Sequence, residues 1–90
     1  MAKILFGDGR TKEVEPLNKK YFTLEELQKI VGGIIEIIYL NNNLIMVIDE
    51  EGKIKNKGEN DNATLVAQRQ LGGMDYVVGD ALVCKRNEVK

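Results

Sequence analysis

Apolar residues recur at helical spacing in one part of this chain and form two nearly continuous runs in the next, and this change of pattern marks the elements. Between Leu24 and Val31 the apolar positions return every three or four residues, which predicts an amphipathic α-helix. Thr23 suits the N-cap, and Glu26 completes a capping box with it. Glycines at positions 32 and 33 suit the C-terminal end of the helix. The pattern therefore predicts one capped helix that begins after Thr23 and ends at the glycine pair.

Two strongly apolar runs follow this helix. Residues 34–40 contain a single charge, Glu36, and residues 44–48 contain none. Both runs are rich in β-branched residues and predict two strands joined by the turn Asn41-Asn42-Asn43. A strand with one face in water alternates between apolar and polar residues, and these runs do not. We therefore expect both faces of these strands to be buried.

The second face of the predicted sheet has two candidate covers. One is the chain itself, through a short second helix and the last strand. The other is a second copy of the chain, because large exposed apolar surfaces usually mark interfaces and a two-fold dimer is the simplest of them. We predict a homodimer, with its interface drawn from one side of the sheet and from the hairpin tip. The predicted interface residues are Ile35, Ile37, Tyr39, Asn42, Ile45 and Val47.

The remaining segments complete a single α+β domain over residues 1–90. The predicted order is strand, strand, helix, strand, strand, short helix, strand, in a mostly antiparallel sheet with the main helix on one face. The other predicted elements are strands at residues 3–6 and 10–14, a brief strand at 54–57, a short helix through 63–69, a last strand at 76–84 and a charged tail at 85–90.

Composition narrows the function classes. Thirteen basic and fourteen acidic residues give a net charge of −1, which makes nucleic acid an unlikely partner. The chain has no histidine and one cysteine, Cys84, so the sequence predicts no metal site, no cofactor and no catalytic constellation. No apolar run reaches the roughly 20 residues that cross a bilayer. We expect a cytoplasmic protein that is not an enzyme.

The start of the second helix is the candidate site for a nucleotide-like ligand. Free N–H groups and the positive end of a helix favour phosphate or carboxylate, and an arginine further along adds a charged fork. Simple helix capping explains the same polar residues. The predicted ligand set is Asn60, Asn62, Thr64, Gln68, Arg69 and Tyr39.

An enzyme that uses Glu36 or Asp75 together with Tyr39 or Tyr76 is a third hypothesis. Sequence spacing fixes no second acid beside Glu36, so a two-carboxylate hydrolase is unsupported.

One stretch carries a resemblance. The run from Leu27 to Glu36 resembles the helix-to-strand signature of the short bacterial and phage proteins grouped as domain of unknown function 3846. The loop at 55–60 departs from that pattern, since related chains often carry an apolar, proline-bearing segment there. Weaker matches follow in the same order: the hairpin at 38–48, the turn at 49–53, the stretch at 62–64 and the segment at 78–83.

The resemblance implies the α+β class and a bacterial or phage setting, and it transfers no catalytic residues. Small binding proteins that blunt host defences are common on phages and mobile elements, an analogy that guides our prediction. We predict an accessory protein that inhibits a host protein by contact through its sheet or hairpin edge, in the host cytoplasm if phage-encoded.

Overall fold

The computed structural model describes residues 2–72 and 75–89 of the 90-residue chain. All strand pairs in this part are antiparallel and form one sheet in the order β2-β1-β5-β4-β3. The α+β class predicted from the sequence is confirmed. The elements are β1 (Ala2–Leu5), β2 (Thr11–Val14), α1 (Leu24–Val31), β3 (Ile35–Tyr39), β4 (Leu44–Asp49), α2 (Asp61–Val66), α3 (Gln68–Leu71), β5 (Ala81–Lys85) and a 3₁₀ turn (Arg86–Glu88).

Helix α1 begins and ends as its sequence predicts. The Thr23 hydroxyl accepts a hydrogen bond from the Glu26 N–H at 3.2 Å, and the Glu26 carboxylate accepts one from the Thr23 N–H at 3.0 Å. Phe22 and Leu27, on either side of this cap, are both 1% exposed, which places a hydrophobic staple at the helix start. Gly32 ends the helix with a φ of +88°, a conformation that glycine adopts at little cost.

The chain itself covers both faces of the sheet. On one face, α1 packs through Leu27 and Val31 against a core that includes Val47 of β4. On the other face, Ala63 and Ala67 of the α2–α3 segment pack over a second core that includes Met46 and Ala81. The buried runs of β4 are thus explained within one copy. The homodimer stays a prediction. Because both faces of the sheet are covered within one copy, an exposed sheet face is not a reason to expect it.

Three segments differ from the predicted elements. Residues 54–56 lie in a turn and residue 57 is irregular, so the brief strand predicted at 54–57 is absent, and Asn56 has a φ of +62°. The second helix is divided into α2 and α3 around Ala67. The last strand begins at Ala81, because Gly79 has a φ of +75°, which extended strands do not accommodate. The predicted charged tail is docked at residues 86–89, where Phe22 donates a 2.6 Å hydrogen bond to the carbonyl of Glu88.

No helix in the described ranges is long and apolar enough to cross a membrane; the longest, α1, has eight residues.

Candidate protein-binding edge

Strand β3 lies at one edge of the sheet, with β4 on its inner side and no strand of the described chain on its outer side. The carbonyl of Ile34 accepts a hydrogen bond from the Glu50 N–H at 2.7 Å, and the Leu40 N–H donates to the Leu44 carbonyl at 2.9 Å. Antiparallel strands alternate between hydrogen-bonded and non-hydrogen-bonded pairs. The even-numbered residues between these two bonds therefore face β4, and the odd-numbered residues turn their N–H and C=O groups outward.

The outward-facing backbone belongs to Ile35, Ile37 and Tyr39. Ile35 and Ile37 are half-buried against the α1 side of the core, while Tyr39 is 59% exposed. Glu36 is the only charged residue of this strand, and the strand contains no proline. Natural proteins usually block edge strands with lysine, proline or a bulge, because open edges pair with other chains. β3 is an unblocked edge.

A buried carboxylate holds the strand that pairs with β3. Asp49, at the end of β4, has a side chain that is 0% exposed, and its Oδ2 accepts from the Nζ of Lys57 at 2.7 Å and of Lys55 at 3.0 Å. Its Oδ1 accepts from the Glu51 N–H at 2.9 Å. Burial raises the pKa of Asp49, but the hydrogen bonds from Lys57, Glu51 and Lys55 outweigh it and lower the pKa to about 2. Asp49 is ionised at neutral pH.

The same two lysines tie β4 to the end of α1. Lys57 Nζ donates to the Val31 carbonyl at 2.7 Å, and Lys55 Nζ donates to the Gly32 carbonyl at 3.2 Å. Cations suit the carbonyls that are left unpaired at a helix C-terminus. A Cβ on Gly33 would lie 2.3 Å from Lys55 Nζ, so a larger residue there would displace the end of the Lys55 side chain from its contacts. The network fixes the point where the chain leaves α1 and enters β3.

A cleft of about 370 Å³ lies at the hairpin-tip end of β3. Arg69 is its only charged lining residue among the residues described, and it forms no ion pair with any of them. Leu65 and Val66 of α2 expose 68% and 50% of their surface beside it. The rest of the lining comes from Leu40, Asn41, Asn42, Leu44, Gln68 and Gln70.

A second cleft, of about 340 Å³, lies at the opposite end of β3 and is acidic. It brings together Glu36, Asp75 and Tyr76 of the enzyme hypothesis, but not Tyr39. Lys53 pairs with the Asp75 carboxylate and stands 4.5 Å from the centre of the Tyr76 ring. The hydrogen bond from Lys53 holds the pKa of Asp75 below its usual value. Asp75 is thus committed to an ion pair and is a weak proton acceptor.

Asn60 of the predicted ligand set is a buried structural residue. Its Oδ1 accepts from the Ala63 N–H at 3.0 Å and caps α2, and its Nδ2 donates to the carbonyls of Leu5 and Gly79, both at 2.8 Å. The residue is 1% exposed. Both N–H groups of the Asn60 side chain and its Oδ1 thus have hydrogen-bond partners within the chain. Because the side chain is also buried, we do not expect it to contact a ligand.

Thr64 also uses its hydroxyl within the fold, whereas the exposed Asn62 makes one weak contact. The Thr64 hydroxyl donates to the Asn60 carbonyl at 2.8 Å and accepts from the Val77 N–H at 2.9 Å. Asn62 Nδ2 donates weakly to the Gly9 carbonyl at 3.4 Å. Asn60 makes the capping contact that the plainer of the two sequence interpretations expects, and these contacts of Thr64 and Asn62 join α2 to other parts of the fold.

The structure does not gather the six predicted ligand residues. Gln68 and Arg69 line the hairpin-tip cleft, beyond the far end of α2. Tyr39 shares the α1 face of the sheet with Ile37, and its ring lies 5.0 Å from the Arg86 guanidinium carbon.

The six predicted interface residues divide into two groups. Ile35, Ile37 and Tyr39 lie on the open edge, and Asn42 lies at the hairpin tip with a φ of +61°. Ile45 and Val47 are 2% and 0% exposed within the chain's own core and offer no surface to a partner. The edge position of β3 was not predicted from the apolar run at residues 34–40, because such a run is typical of a strand buried on both faces and its place in the sheet is set by the long-range strand order.

Reactive groups are scarce near this edge. Burial raises the pKa of the Cys84 thiol to about 12, so the thiolate does not form at neutral pH. No group of three acidic or cysteine side chains in the described chain is arranged to hold a metal ion.

Fold and site together define a small α+β protein with a five-stranded antiparallel sheet, a helical cover on each face and one open edge. The family described as Domain of unknown function (DUF3846) matches residues 3–90, essentially the whole chain, and the protein belongs to that family. The resemblance noted in the sequence is confirmed. No curated protein and no solved structure matches the chain.

Proposed function

We propose that this chain is a non-enzymatic binding protein that recruits an extended segment of another protein as an added strand on β3. One observation carries the proposal: the outward N–H and C=O groups of Ile35, Ile37 and Tyr39 line an edge that bears a single charge. Strand addition uses such main-chain groups for affinity and neighbouring pockets for specificity. The two clefts at the ends of β3 supply those pockets.

The edge is built as a rigid platform. The buried Asp49 network fixes the start of β3, and the strand pairs with β4 along its whole length from Ile35 to Tyr39. A preformed edge loses little conformational entropy when a partner binds, so less of the favourable contact free energy is offset by ordering of the edge.

The biological setting of the proposal comes from the family and from analogy. The resemblance noted in the sequence implies a bacterial or phage setting, and by analogy small proteins in that setting often inhibit host defences by binding them. We therefore propose that the captured strand belongs to a host protein, and that capture inhibits it in the host cytoplasm.

Proline substitution at the edge tests this function. Tyr39→Pro removes one outward-facing N–H without touching the pairing with β4, and Tyr39→Ala removes the same side chain while keeping the N–H. Glu13→Pro is the matched control on the opposite edge: the Phe6 N–H donates to the Arg10 carbonyl at 2.9 Å, and alternation from that pair turns the Glu13 N–H outward from β2.

The readout is quantitative capture of host proteins on the immobilised chain, with circular dichroism as the check on folding. We expect at least one host protein to bind the immobilised wild type, Tyr39→Ala and Glu13→Pro. The same host protein is expected not to bind folded Tyr39→Pro. Retention of every captured protein by folded Tyr39→Pro would overturn the proposal.

A further inference from the structure

The charges beside β3 differ between its two ends. At the hairpin-tip end, Arg86 stacks 5.0 Å from the Tyr39 ring and Arg69 lines the cleft next to Leu40. At the other end, Glu36 and Glu50 are exposed, and the cleft there holds more acidic residues than basic ones, because Lys53 is paired with Asp75. A strand that fits this edge is acidic beside the hairpin tip and basic beside the start of β3.

A second copy of β3 has the required distribution of charge when it runs antiparallel to the first. In an antiparallel pair, the acidic end of one strand lies beside the basic end of the other. Neither Glu36 nor Arg69 forms an ion pair with any residue in the described ranges. We propose that the resting occupant of the edge is β3 of a second copy of this chain, paired antiparallel about a two-fold axis at Ile37. The inference rests on the proposed use of β3 for strand addition.

Hydrogen bonding and charge select this register. With Ile37 opposite Ile37, the outward groups of Ile35 and Tyr39 also meet, which gives about six main-chain hydrogen bonds between the copies. A register centred on Glu36 places two like charges directly opposite each other, and such pairs are destabilising. With the axis at Ile37, Glu36 lies opposite Ile38 of the second copy, diagonal to its Leu40 and within reach of its Arg69.

Self-pairing has a functional consequence. An unblocked edge risks uncontrolled association, and a closed two-fold pair removes that edge from solvent. A host strand then competes with the second copy for the same backbone groups. Dilution of the protein therefore favours capture, and high concentration favours the dimer.

Charge reversal across the axis tests the second copy as occupant. Sedimentation of the wild type is expected to show a mass twice that of the 10.1 kDa chain. Glu36→Lys and Arg69→Glu each reverse two symmetric contacts, and we expect each to weaken the dimer about tenfold. The double variant restores opposite charges and is expected to return close to the wild-type dissociation constant. Glu13→Lys on β2 is the matched reversal and leaves the dimer unchanged.

The outcomes separate the inference from the function on which it rests. A monomeric wild type at millimolar concentration overturns the inference, and so does a double variant that is weaker than both single variants. If the wild type is monomeric while Tyr39→Pro still loses its captured protein, the second copy is excluded and the proposed function stands. A dimer that obeys the charge reversals, with capture unaffected by Tyr39→Pro, supports the inference and overturns the host-binding function.

Discussion

The two edges of this sheet are built differently. β2 presents exposed Thr11, Lys12 and Glu13, and Pro16 follows two residues after the strand ends. β3 presents a run with one charge and no proline. Charges and proline are the usual means by which proteins prevent edge pairing. One edge of this protein is protected, and the other is left open to a partner.

The supports of the two edges differ as well. The turn before β2 is held by a surface ion pair of Asp8 and Arg10, whose side chains are 54% and 74% exposed. The chain entering β3 is held by Asp49, whose buried side chain pairs with two partly exposed lysines. Surface pairs contribute little to stability, whereas breaking a buried one is costly. The open edge is therefore the more firmly anchored of the two.

The largest expected effect is loss of the buried support. Asp49→Ala removes the buried carboxylate that Lys55, Lys57 and the Glu51 N–H share, and we expect it to lower the free energy of unfolding by about 3 kcal/mol. Asp8→Ala on the β2 side is the matched control and is expected to leave the urea midpoint nearly unchanged. Equal midpoint shifts for the two variants would contradict the difference in anchoring.

A pair of proline variants tests which backbone groups of β3 are free. Ile38 pairs with Met46 of β4, so Ile38→Pro leaves a buried carbonyl unsatisfied, whereas Ile37→Pro removes an outward N–H. Both variants lose a half-buried isoleucine. We expect Ile38→Pro to be less stable than Ile37→Pro by about 1 to 3 kcal/mol in urea unfolding. The reverse order would show that the alternation is assigned one residue out of register.

Acid titration isolates the charge of Asp49. Its pKa is about 2 in the fold and 3.8 without these contacts, so its ionised form stabilises the fold fully above about pH 4. This contribution, about 2 to 3 kcal/mol, is lost as the pH falls from about 4 through 2. Thermal unfolding between pH 5 and 2 measures it, and Asp49→Asn is expected to lack this part of the pH dependence. An unchanged profile in that variant would assign the acid sensitivity to other carboxylates.

The smallest expected effect converts β2 into a second open edge. Lys12→Ile combined with Glu13→Val removes the charges that protect this strand. Two open edges allow open-ended addition of copies, so we expect species larger than a dimer in sedimentation. An unchanged mass distribution would show that charge is not what closes β2.

The local parts of this fold were predictable from the sequence. The ends of α1 depend on Thr23, Glu26 and Gly32, whose capping contacts lie within a few residues of one another. The β3–β4 hairpin likewise depends on asparagines 42 and 43, which adopt the φ of +61° that the tight turn requires.

Long-range pairing decided the rest. β5 inserts between β1 and β4, and no residue near Ala81 signals that position. Asn60 was predicted as a ligand residue from its place at the start of the second helix, and its bonds to Leu5 and Gly79, which span 55 and 19 residues, leave no local pattern in the sequence. The open edge follows from the same insertion, since strand order alone leaves β3 on the outside.

Amide hydrogen exchange followed residue by residue is the most direct test of the central claim that β3 is an open edge that accepts a strand. In dilute protein we expect fast exchange at the outward amides of Ile35, Ile37 and Tyr39 and slow exchange at those of Glu36 and Ile38. As the concentration rises or a captured strand is added, the three fast amides are expected to become protected, while Thr11 and Glu13 of β2 stay fast. Fast exchange of Ile37 under all of these conditions would contradict the account.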